Sequence, residues 1–104
     1  MASHELKINS ADFISIISDL KKFEIRKNSR NFQKGDMLFL LEYDDINTKY
    51  TGRVIQVIVT YILEKLGHAL HPGYCIMSLG KPILLNSTVY DIVKKGLPCI
   101  YIKN

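Results

Sequence analysis

The sequence predicts an α+β domain built mostly from antiparallel strands with one main helix. Three observations predict it. Phe13, Ile16, Ile17 and Leu20 recur at i, i+3, i+4 and i+7, a single apolar stripe on a helix of about three turns. Several short runs are apolar and β-branched, or alternate with period two. These runs follow one another across turns and short loops, which suits antiparallel pairing rather than a doubly wound parallel sheet. The 104 residues form one domain, 1–104, able to bury roughly two thirds of its unfolded surface.

Each element has its own signal. Leu6 and Ile8 alternate with Glu5 and Lys7, the pattern of a short opening strand with one buried face. Asn9 or Ser10 offers an N-cap for the helix, and Asp12 places an acid in its first turn. From Lys22 to Arg26 the period changes to two. Phe23 and Ile25 are expected to face the core, with Lys22, Glu24 and Arg26 on the other side. Lys34-Gly35-Asp36 reads as a turn, Met37 to Tyr43 as a strand, and Asp44 to Gly52 as a polar connection. Arg53 to Leu63 is a long strand. Both of these strands are apolar on two faces for much of their length, which points to a barrel or to cover by a helix. His68, His71, Pro72 and Gly73 mark a loop before a strand from Tyr74 to Leu79. Ser87 is positioned to cap a short helix through Lys95, Gly96 to end it, and Pro98 to precede a closing strand from Cys99 to Ile102.

Composition narrows the class. The chain is 47% hydrophobic and 23% charged, as in ordinary globular domains. No apolar run approaches the roughly 20 residues of a membrane span, and the first residues lack the layout of a signal peptide. The expectation is an intracellular, cytoplasmic protein. Cys75 and Cys99 both sit in apolar strand-like runs and are expected as buried thiols. His68, His71 and Cys75 are zinc-type donors at a spacing that matches no known ligand set, so no metal or other cofactor is expected.

Charge is concentrated in one place. Between Lys21 and Gly35, six basic residues (Lys21, Lys22, Arg26, Lys27, Arg30 and Lys34) face Glu24 alone, giving these fifteen positions +5 when the whole chain carries +4. So local an excess suits phosphate, through attraction and counterion release. Phe23 and Phe32 lie within it, and Tyr74 follows a glycine turn where its ring is placed to stack on a base. Glu24, between Lys22 and Arg26 on one side of a strand, suits orientation of Arg26 or of a ligand N–H, or a structural ion pair in the cleft wall.

The run Phe-Glu-Ile-Arg-Lys-Asn-x-Arg-Asn-Phe at 23–32, preceded by the His4–Ile8 strand, the amphipathic helix and Lys21, and followed by Gly35-Asp36, resembles the ASCH-type branch of PUA-like domains. Within that branch it is most similar to a small bacterial and phage subgroup of unknown function. Tyr50-Thr-Gly-Arg53, Thr60 to Leu63 and Gly73-Tyr74 fit as well. The resemblance covers residues 4–79. It implies an open, twisted β-barrel with the first helix beside a cleft that takes RNA or modified nucleosides, and it places His4 near that cleft. Residues 80–104 are then a helix–strand extension that completes the barrel or serves a dimer contact. One branch that this chain resembles hydrolyses acetylated cytidine with a Lys, a Thr and a downstream Glu. Lys21 falls at the lysine, Glu24 stands where the threonine would be, and the later glutamate has no clear counterpart.

The expected function is therefore RNA or nucleotide binding in a basic cleft walled by residues 21–30. Lys21, Lys22, Lys27 and Arg30 would meet phosphate, Arg26 and Glu24 would form the ordered centre, and His4 and Tyr74 would lie near. The partner would be RNA, other single-stranded nucleic acid or a modified nucleoside, held by a monomer or weak homodimer. Two alternatives belong to other classes: a hydrolase of a modified nucleoside, with Lys21 catalytic, and a protein-interaction module using the apolar surface of residues 80–104.

Overall fold

A computed structural model describes residues 1–96 and the backbone of 100–101. Its strands are β1 (Ser3–Asn9), β2 (Phe23–Lys27), β3 (Met37–Asp44), β4 (Lys49–Leu63), β5 (Tyr74–Leu79), β6 (Ile83–Leu85) and β7 (Ile100–Tyr101). Helix α1 (Ser10–Ile17) lies between β1 and β2, and α2 (Ser87–Lys95) between β6 and β7. The strands form one sheet in the order β2-β5-β4-β3-β1-β7, with β6 paired to β4 off this path. All pairs are antiparallel except β1 with β3 and β1 with β7. The α+β class holds. The parallel β1–β3 pair enters because α1 and β2 intervene, a connection long enough to cross over, and β7 reaches β1 after the rest of the chain.

Both faces of the central strands are covered. Leu38, Phe39 and Leu40 are consecutive on β3 and all fully buried, so alternate side chains must enter two different cores. Leu38 and Leu40 join Leu6, Phe13, Ile16 and Val57 beneath α1. Phe39 joins Val54, Leu85 and Tyr90 beneath α2. This explains why β3 lacks clean polar alternation.

Local chemistry sets the ends of the elements. Asn9 caps α1, its side chain accepting from the Asp12 amide at 2.8 Å. The helix stops at Ile17, one turn short of the expected length. Asp19 takes a left-handed backbone (φ 63°), and Leu20 is left 83% exposed. Asn86, rather than Ser87, caps α2 by accepting from the Val89 amide at 2.8 Å. The polar connection after β3 is shorter than expected, because Asp44 accepts from the Ile46 and Asn47 amides and turns the chain into β4 at Lys49. Cys75 is fully buried, and desolvation pushes its thiol pKa up. Cys99 and Pro98 lie outside the described residues.

Among the described residues the sheet does not close through backbone pairing. β1 meets β7 only at Ser3 and His4, and β2 ends the other side of the path. Two arginines span the interval. Arg26 Nη2 donates to the Lys7 carbonyl at 2.7 Å, and Arg30 Nη1 donates to the Glu5 carbonyl at 2.7 Å. Side chains thus join β1 and the β2 segment where a ladder is missing.

Candidate nucleic-acid interface

The interface is built around β2, which runs opposite to the sequence expectation. Glu24 is buried and Arg26 half-buried, whereas Phe23 and Ile25 are 45% and 49% exposed. Period two is correct, but the charged side faces in. Glu24 opposes the buried Met77, and Arg26 opposes the buried Cys75. An acid can occupy such a position only when its charge is met, and here two cations meet it. Arg26 donates to Glu24 Oε2 through Nε at 3.2 Å and Nη2 at 3.0 Å. Lys21 Nζ lies 3.5 Å from Glu24 Oε1 and donates to Asp12 Oδ1 at 2.9 Å. The result is a linked row from α1 to β1: Asp12, Lys21, Glu24, Arg26 and the Lys7 carbonyl.

The expected phosphate-binding residues divide into two sets. Lys21, Glu24 and Arg26 come together in this row. Arg30 joins its flank through the Glu5 carbonyl; desolvation and the nearby Arg26 lower its pKa, with Glu5 opposing them. Lys22 is exposed and makes a loose contact with Asp19 at 3.6 Å, and Lys27 is exposed on β2. Lys27 lies directly across the ladder from Tyr74, whose ring meets His71 edge-on at 5.3 Å.

His4 is placed differently from the expectation. It is fully buried, with Nε2 2.8 Å from Asp36 Oδ2 and its ring edge-on to Phe32. Asp36 also accepts from the Ala2 and Gln33 amides. Burial pushes the Asp36 carboxyl upward, but His4 and the two amides outweigh it and hold the group below the usual carboxylate range. His4 thereby fastens the start of β1 to the turn before β3.

Sequence reading overlooked a second charged group. Glu42, 2% exposed, receives Arg53 Nε at 2.7 Å and Nη2 at 2.9 Å, together with the Thr51 hydroxyl at 2.6 Å. The Arg53 bond, then those from Thr51 and Ser10, outweigh burial and lower its pKa to about 2. Arg53 also lies over the Phe13 ring, 4.8 Å from its centre. The available signal was an acid within the apolar run Leu40-Leu41-Glu42-Tyr43.

No group of three or more metal-ligating side chains occurs among the described residues, and no helix among them is long and apolar enough to cross a membrane. Fold and site define a small α+β domain whose sheet is bridged by a charged seam. The chain belongs to the family described as a domain of unknown function (DUF3850), which matches residues 3–79. The match ends with β5, leaving β6, α2 and β7 beyond it. An uncharacterized 12.9 kDa protein in the GpA 3′ region of Escherichia phage P2 is 31% identical over 61 residues, 59% of this chain and 54% of that protein. The chain thus spans about half the length of this curated relative.

Proposed function

We propose that this domain binds RNA or a nucleotide-like ligand along residues 21–30, and that it is an ASCH-type member of the PUA-like superfamily. The observation that carries this reading is the division of the cations. Lys21 and Arg26 are held by Asp12 and Glu24 as a fixed wall, while Lys22 and Lys27 stay open to solvent beside Phe23 and Tyr74. Open lysines next to exposed rings suit phosphate contact with base stacking. The arginine-bridged gap between β1 and the β2 segment supports an open barrel, since full backbone closure would leave no such interval.

The hydrolase alternative is not adopted. To act as a base, Lys21 would have to leave both Asp12 and Glu24. The protein-docking alternative has exposed apolar residues in Ile83, Leu84 and Ile92, but no partner is indicated by their surroundings.

The test is binding of a mixed pool of short labelled RNA and single-stranded DNA at several salt concentrations. Contacts by Lys22 and Lys27 alone predict a slope of about −1.4 in log K against log salt, and recruitment of Lys21 and Arg30 would steepen it to about −2.8. Binding with a slope near zero would overturn phosphate recognition.

A further inference from the structure

The outward face of the β2–β5–β4 end of the sheet carries side chains that neither helix covers. Register places them in rows. Phe23 pairs with Ser78, and Ser78 with Tyr61; Ile25 pairs with Ile76, and Ile76 with Leu63; Lys27 pairs with Tyr74. Directly paired residues share a face, so all eight project from the same side. The opposite side holds Glu24, Met77 and Ile62, which line the core beneath α1. On the outward side Phe23, Ile25 and Tyr61 are exposed, Tyr61 by 59%. An open apolar sheet face is uncommon and marks a binding surface.

The first row presents two exposed rings. Phe23 and Tyr61 stand two strands apart, about 9.6 Å at the usual strand spacing, with only the small Ser78 between them. A planar base stacked between two rings needs about 7 Å, twice the rise between stacked bases, so at this wider spacing each ring offers its own stacking face. Positive charge on this face comes from Lys27, exposed in the third row across from Tyr74, while Lys21, 5.4 Å from the Phe23 ring centre, is paired with Asp12 and Glu24. Glu64, the acid at this rim, accepts a hydrogen bond from Asn28. Exposed rings sharing a face with an exposed lysine favour a nucleic-acid strand over an apolar protein surface.

Resting on the proposed nucleic-acid reading, we infer that this face is a stacking platform for single-stranded nucleic acid, with bases stacked on Phe23 and Tyr61 and a phosphate farther along the strand near Lys27. The probe is a single-stranded octanucleotide with a central 2-aminopurine, whose fluorescence falls on stacking. It is titrated into the wild-type protein, Phe23→Ala/Tyr61→Ala, Phe23→Leu/Tyr61→Leu and Lys22→Ala/Lys27→Ala. All four proteins are checked for unchanged thermal unfolding and for self-association by sedimentation. The platform predicts quenching by the wild type and affinity losses of roughly tenfold per ring in both ring variants, with the salt slope unchanged. The leucine variant keeps apolar area and removes stacking, so wild-type affinity there would overturn the inference. Ring variants that bind normally while the lysine variant weakens would overturn the platform and leave the nucleic-acid reading intact. Loss of a concentration-dependent dimer in the ring variants, with oligonucleotide binding unchanged, would make the face a self-interface and also overturn it. Absence of binding by the wild type would overturn both readings.

Discussion

Two glutamate–arginine pairs, one beneath α1 and one in the β1–β2 seam, look alike in sequence and differ in how they are closed. Glu42 is met on both oxygens by one guanidinium and additionally by Thr51. Its charge is satisfied mainly within the β3–β4 hairpin, with Ser10 at the start of α1 adding to it. Glu24 shares one oxygen with two donors of Arg26 and has Lys21 at 3.5 Å on the other. Arg26 in turn divides itself between Glu24 and the Lys7 carbonyl. A bidentate pair fixes geometry, whereas a row of shared contacts joins elements from different parts of the chain. The first pair is a fastening of the fold; the second borders the face assigned here to ligand.

Breaking the first pair should have the largest effect on stability. Removing one partner of a fully buried pair costs about 3–5 kcal/mol. Arg53 is half exposed and can turn to water, so Glu42→Ala should cost about 2–3 kcal/mol in urea unfolding. Acidity gives a second handle. The folded Glu42 pKa of about 2 lies below the usual 4.5. This contribution is therefore present above about pH 4.5 and fades as pH falls toward about 2. The shift corresponds to about 3 kcal/mol before screening, and 1–3 kcal/mol is the expected range. Asp36, also lowered, adds in the same direction. Glu42→Gln should flatten the loss of stability between pH 5 and pH 2.5 without abolishing it. Identical pH profiles for the two proteins would contradict the fastening role.

Breaking the second pair should cost less and act locally. Arg26→Ala removes the bond to the Lys7 carbonyl and leaves Glu24 with Lys21 alone, an expected loss of about 1–2 kcal/mol. Amide exchange should quicken along the β2–β5 ladder and stay unchanged in β3–β4. Uniform quickening across the sheet would mean that the seam supports the whole fold and is no separate region.

The sequence showed the skeleton better than its orientation. The Phe13-Ile16-Ile17 stripe and a cap at Asn9 or Ser10 marked α1 because helix periodicity and capping are local, and the structure selects Asn9. The same stripe extended the helix to Leu20, since nothing in the pattern revealed that Asp19 turns left-handed. For β2 the alternation was legible and its sense was not. Apolar residues usually face inward, but Glu24 and Arg26 are drawn in by Lys21, Asp12 and a β1 carbonyl, partners supplied only by the fold. His4 likewise gave no sign of burial, because Asp36 lies 32 positions away. β6, with three residues, was too short to register as a strand.

The smallest expected effect on stability gives the sharpest test of the division between wall and open flank. Among the described residues Lys22 is ion-paired with the equally exposed Asp19 alone, and Lys27 is an exposed edge-strand residue. Exposed ion pairs contribute little, and surface substitutions usually fall within about 0.5 kcal/mol. Lys22→Ala/Lys27→Ala should therefore unfold at the wild-type urea midpoint and retain the wild-type exchange pattern along β2. If these lysines meet phosphate, the same variant should bind the labelled pool more weakly and with a salt slope shallower by about 1.4. Arg26→Ala should show the reverse, with a measurable loss of stability and a slope close to that of the wild type, because the Arg26 charge is already met by Glu24. Equal slope changes in the two variants would show that the row opens to ligand, and the division drawn from the free structure would not survive binding.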